Sequence, residues 1–157
     1  MVNFKRSLLS GAAQQVVVVG LQQCLVDSID LALQLKQAHW AVVGNNFRNV
    51  HLQLDEILID VRNASDELAE RIATLGVTPD GRAQSVAEHT RLASLSNQFE
   101  STANIVTAIA DRLQTVIQGL REAMAEIADH DPVSEDLLIG IAAPLEKHLW
   151  MMQSQEL

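Results

Sequence analysis

The chain has 157 residues and a formal charge of -9 at pH 7, with 48% hydrophobic residues, 3% aromatic residues and no tyrosine. A chain of this length buries roughly 70% of the surface it exposes unfolded, so residues 1–157 are expected to form one domain behind a short arm of about residues 1–8. The wealth of Ala, Leu, Val, Gln and Glu predicts an all-α fold, and the negative charge, relieved in the arm only by Lys5 and Arg6, argues against nucleic acid as the main partner.

In chain order, apolar residues recur at three- and four-residue steps from about Leu8 to Val43, as in Leu21, Leu25, Ile29 and Leu33, which predicts a long first helix. The apolar run Val16 to Leu21 is far short of the roughly 18 residues that cross a bilayer. The stretch behind Lys5 and Arg6 is too brief for a secretory signal, so a cytoplasmic location and no membrane span are expected. Cys24 has no partner in the chain, which excludes an intrachain disulfide and predicts a small buried residue. Gly44 tolerates positive φ and Asn45 and Asn46 are good helix-starting residues, so a tight turn follows.

Phe47 to Leu75 carries apolar residues at helical spacing without Gly or Pro and predicts the second helix. Gly76 ends it, and Thr78, Pro79, Asp80 and Gly81 form a turn signature that opens a long crossover. A short helix is expected around Val86 to Leu92, and Ser96 is expected to cap a third helix running to about Ala128. Asp131 as cap, Pro132 at the first helical position, and Glu135 and Asp136 in the first turn open a fourth helix to about Met152, with a kink expected at Pro144. Two long helices, a long crossover with a short helix and two more long helices make a ferritin-like four-helix bundle.

Five side chains able to bind metal lie around the first turn: His39, then His51, Asp55, Asp66 and Glu70 on the second helix. His51 and Asp55 are four residues apart, as are Asp66 and Glu70, so each pair shares a helix face. At 100° per residue the four fall within a stripe of about 100°, yet Asp55 and Asp66 stand about 16 Å apart along the axis. One chain therefore cannot close the site, but two antiparallel second helices across a two-fold axis can. His51 and Asp55 of one chain then face Asp66 and Glu70 of the other, with His39 approaching across the turn.

An isolated Asp, Glu or His on a helix is ordinarily a solvated group. Here two histidines and three carboxylates interrupt a helix pair that is otherwise apolar on its packing face. Such mixed ligands suit iron, manganese or zinc and do not choose among them. No Glu in the chain has a His three residues later, which disfavours the Glu-x-x-His di-iron site of a single bundle.

The chain resembles the Dps family of mini-ferritins, named as DNA-binding proteins from starved cells. The resemblance runs through Lys36-Gln37-Ala38-His39-Trp40, Gly44, Phe47, His51, Asp55-Glu56, Asp66 and Ala69-Glu70-Arg71-Ile72, and more loosely through Asp136-Leu137-Leu138 and Leu145-Glu146-Lys147 to Trp150. It implies a hollow homo-oligomer, a dodecamer, that oxidises Fe²⁺ with hydrogen peroxide or O₂ at dinuclear sites between subunits, stores ferric mineral and protects against oxidative damage. Asp66 and Glu70 of one subunit with His39 of its mate would hold the tighter iron, and His51 and Asp55 the second, with Zn²⁺ or Mn²⁺ as competitors.

The same resemblance gives Asp131, Glu135 and Asp136 to an iron-entry pore, where capping explains Asp131 and Glu135 equally well. It gives Trp40 a role in taking up stray oxidising equivalents, beside the general reading that Trp40 and Trp150 are packing residues. His89, His130 and His148 are unassigned and expected on the surface. Neither terminus carries the lysine-rich run with which many members bind DNA. DNA binding is expected to be weak or absent, and a DNA-compacting nucleoid protein with secondary iron oxidation is the alternative.

Overall fold

The computed structural model describes residues 5–157, so residues 1–4 of the expected arm lie outside the described residues. In chain order the elements are α1 (Gly11–Ala41), β1 (Val42–Val43), α2 (Phe47–Thr74), α3 (Ala83–His89), β2 (Glu100–Ser101), α4 (Thr102–Ile127) and α5 (Pro132–Gln153). α1 packs on α2 and α4, and α5 packs on α4 and α2. The four long helices thus make the all-α ferritin-like bundle expected, with α3 in the crossover.

The core comes from the apolar stripes that the spacing marks. Leu21, Leu25, Leu35, Leu54, Ile57, Leu68, Ile109, Leu113 and Leu120 are all fully buried, each contributing about 1.5–3 kcal/mol relative to exposure. α1 holds an 18-residue window of mean hydropathy 1.7, long and apolar enough by itself to cross a bilayer. In the bundle that apolarity serves contacts to α2, α4 and the short α3, and the same helix buries Asp27, Ser28 and Gln34. Close approach is part of the design: a Cβ added to Gly20 would stand 3.2 Å from the Ile127 side chain of α4.

Several boundaries differ from expectation, each for a tertiary reason. α1 ends at Ala41 because Val42 and Val43 pair in parallel with Glu100 and Ser101, a two-residue ladder that periodicity does not reveal. Ser101, not Ser96, caps the third long helix, its side chain accepting from the Asn104 amide at 3.2 Å. The short helix ends at His89 because the next residues are drawn onto α1. Asp30 accepts from the Thr90 hydroxyl at 2.6 Å, and buried Asp27 accepts from the Arg91 amide at 2.9 Å and from its guanidinium at 2.8 and 2.6 Å. Further along, Arg112 of α4 donates to Gln34 and to the Ser94 carbonyl. α5 runs as one helix through Pro144.

Arg91 lies flat over α4, where a Cβ built on Gly119 would stand 2.0 Å from its Nη2. Gly119→Ala is therefore expected to dislodge Arg91 from Asp27 and lower stability by about 1–3 kcal/mol, since hydrogen bonds to a charged group are lost. Gly140, also inside a helix, has nothing within 4 Å of the same built position. Gly140→Ala should raise stability by about 0.5–1 kcal/mol. Thermal unfolding of the two variants checks the opposite signs.

Candidate metal centre

The last carbonyls of a helix have no intrahelical donor, and His39 sits in the final turn of α1. Its carbonyl accepts from His51 Nδ1 at 2.9 Å, while the His51 carbonyl accepts from His39 Nδ1 at 3.0 Å. A carbonyl can only accept, so this network assigns the ring proton of each neutral imidazole to Nδ1. Nε2 is left as the atom with a free lone pair, the arrangement that suits metal ligation. The two rings stack with centroids 3.6 Å apart and planes 24° apart, and Phe47 tilts toward His51 at 5.0 Å.

Asp55 completes this cluster. Its Oδ1 stands 3.3 Å from His39 Nδ1 and 2.7 Å from Lys36 Nζ. The Lys36 hydrogen bond holds the Asp55 carboxyl below its ordinary value of 3.8; partial burial opposes this, and the nearby His39 adds to the lowering. The chain therefore brings His39, His51 and Asp55 together, with an ammonium resting on the carboxylate. Lys36 was not foreseen as part of the site, although it stands three residues before His39, the spacing that puts two side chains on one helix face.

Asp66 and Glu70 are exposed and lie about three and four turns further along α2. Among the described residues of the single chain, no group of three His, Cys, Asp or Glu side chains could hold a metal ion. The outward sector that carries these ligands also carries Leu52, 41% exposed, and Ile59, 60% exposed. On α1 beside it stand Leu33, 61% exposed, and Trp40, 66% exposed. Trp40 is thus outside the core and lines a 370 Å³ cavity with Leu33, Lys36 and Arg62. Trp150, expected to pack, is likewise exposed in the single chain.

The three pore candidates separate. Asp131 is buried, and its Oδ2 accepts from Arg71 Nη2 at 2.6 Å and from the Ser134 hydroxyl, so it is a helix-to-helix clamp and not a carboxylate open to solvent. Glu135 is half-buried and Asp136 exposed in the first turns of α5. His148 corrects a second expectation: it is buried, with Nε2 2.7 Å from Asp60 Oδ2 and an Nδ1 that has no partner among the described residues. His89 and His130 are exposed, and Cys24 is buried, its thiol pushed up to about 12 chiefly by desolvation.

Burial pushes the Asp131 carboxyl up, but hydrogen bonds from Ser134 and Arg71 outweigh it and leave the group below 3.8. A depressed folded value means that this stability is present above the unfolded value and lost as pH falls toward the folded one. Asp131→Asn should accordingly flatten the fall in thermal midpoint that the wild type shows below about pH 4. Lys36→Met should move the Asp55 titration upward, read by carboxyl ¹³C NMR.

The Ferritin-like domain family matches residues 19–156. The DNA protection during starvation protein of Mycolicibacterium smegmatis is 37% identical over 134 residues, covering 85% of this chain and 73% of its own length. The tetragonal form of Mycobacterium smegmatis Dps superposes with a TM-score of 0.93 at 35% identity, covering 99% of this chain and 94% of that one. Dps from Microbacterium arborescens in a high iron form gives 0.90 at 26% identity, covering 96% and 98%. With the bundle, the crossover helix and this extent of likeness, the chain belongs to the Dps family of ferritin-like proteins.

Proposed function

We propose that this chain is a ferroxidase and iron-storage mini-ferritin that oxidises Fe²⁺ at dinuclear sites shared between subunits. The observation that carries the reading is the joined set of His39, His51 and Asp55, in which both imidazoles have Nδ1 committed to carbonyls and Nε2 left for a metal. Asp66 and Glu70 of a second subunit supply the missing carboxylates. The donor set fits iron, and Zn²⁺ or Mn²⁺ compete for it. A solved relative in a high iron form supports the choice.

The site's chemistry follows from holding two Fe²⁺ side by side. Each gives up one electron; hydrogen peroxide takes both, its O–O bond breaks, and two protons complete two waters. O₂ is the alternative oxidant. No one-electron product is released, which is the protective outcome. Trp40, next to His39 in sequence, is placed to absorb an oxidising equivalent that strays. Lys36 competes with a cation for Asp55, which supports a weaker second position.

Exposed Leu33, Trp40, Leu52 and Ile59 surround the ligand sector and support its closure by a second copy, α2 running antiparallel to α2 across a two-fold axis. Val133 and Ile139 of α5 are 60% and 50% exposed, and Trp150, 64% exposed, lines one surface pocket with Leu52 of α2. The hollow dodecamer rests on the likeness to the Dps family. Glu135 and Asp136 then line an iron entry, with Asp131 holding α5 in place. We assign the protein to the cytoplasm.

The relatives' name raises a second reading, DNA compaction with secondary iron oxidation. A chain of charge -9 with only Lys5 and Arg6 in its arm should give no gel retardation at physiological salt. For the first reading, anaerobic Fe²⁺ loading followed by peroxide should produce rapid ferric absorbance in the wild type. An Asp66→Ala, Glu70→Ala double variant of equal size by light scattering should lose it. Oxidation no faster than buffer in both proteins sinks the ferroxidase reading.

A further inference from the structure

We infer that Phe47 is a positioning residue for the metal centre, aiming the His51 imidazole at the ion; this rests on the ferroxidase reading above. The described residues hold two close aromatic contacts, and both are made to the His51 ring. One is the His39 stack, which belongs to the reciprocal pair already described. The other is Phe47, centroid 5.0 Å away with planes 36° apart.

Core packing does not account for Phe47. It is 42% exposed and lies outside the buried cluster that fills the bundle. The turn before it is built to deliver it: Gly44 at φ 110 and Asn46 at φ 64 reverse the chain, and the Phe47 amide bonds back to the Gly44 carbonyl at 3.2 Å. Phe47 then opens α2 four residues before His51, the separation at which side chains meet on one helix face.

The geometry gives the contact a purpose. The His51 ring is tethered at Cβ and by the bond from Nδ1 to the His39 carbonyl, and small coupled rotations about χ1 and χ2 are the motion left to it. Those rotations swing Nε2, the atom free for a metal. Contact with Phe47 as well as with His39 restricts that swing, so His51 meets the ion already oriented. Loss of a hydrogen-bonded outer-shell partner lowers metal affinity about 10–100-fold, and a packing contact is expected at the lower end of that range.

The test uses Co²⁺ as a redox-silent probe, titrated anaerobically into the assembled protein and read by its visible d–d absorption, with light scattering to follow assembly. Wild type should bind two Co²⁺ per site, and His51→Ala should lose one. Phe47→Leu should assemble, weaken the His51-dependent equivalent about tenfold and alter its spectrum, while leaving the other equivalent as in wild type. Phe47→Tyr, which restores the ring, should restore both affinity and spectrum. A Phe47→Leu protein with wild-type affinity and spectrum overturns the inference. So does one that no longer assembles, which would make Phe47 a subunit contact. If wild type binds no Co²⁺, the metal-centre reading itself fails and takes the inference with it.

Discussion

The exchange between His39 and His51 is the constraint on which the rest of the centre depends. A helix that ends leaves backbone acceptors without donors, and the short link 42–46 brings such an end against the first turns of the next helix. The His51 imidazole supplies a donor to one of them, the His39 carbonyl, and His39 donates in return to the His51 carbonyl inside α2. The same two bonds fix the register of α1 against α2, which is why Asp55 falls beside His39 and Lys36. Backbone satisfaction and ligand preparation are one event here, because the nitrogen spent on a carbonyl decides which nitrogen remains.

A second set of polar contacts holds the crossover. Asp27, Asp30 and Gln34 lie at helical spacing along α1, and each reaches the crossover segment or the helix that follows it. Asp27 is 1% exposed, an expensive place for a carboxylate. Its cost is offset by donors from Gln23 and from the Arg91 amide and guanidinium. Apolar residues there could have buried as much area but would have left the path of residues 90–99 less defined. The crossover sets where β2 begins, and β2 pairs with β1 beside the histidines. The polar strap and the candidate metal ligands are thus connected through a two-residue ladder.

Much of this was legible in the sequence because long apolar stripes at one spacing have one economical packing. α2, α4 and α5 fall within a few residues of expectation, apart from the start of α4. That start depended on which of two serines meets a free amide, a choice made by the β1–β2 pairing and not by local preference. Asp131 sits in a helix-opening position as its sequence suggests, yet its carboxylate turns to Arg71, sixty positions away, for which no local signal exists. His148 was unreadable for the same reason, since its partner Asp60 lies on another helix. Four of the five ligand candidates were legible as residue types in phase on α2, with His39 across the turn, and the chain joins three of the five. The other two stand on a face that a single chain leaves uncovered.

Arg91 and Gly119 are separated by most of a helix in sequence and by almost nothing in space. The guanidinium occupies the volume that any side chain at position 119 would need. The two positions therefore form one unit of variation. A side chain at position 119 would have to displace the guanidinium from its place over α4. Displaced, Arg91 would have to reach Asp27 by another path or leave that carboxylate to its other donors.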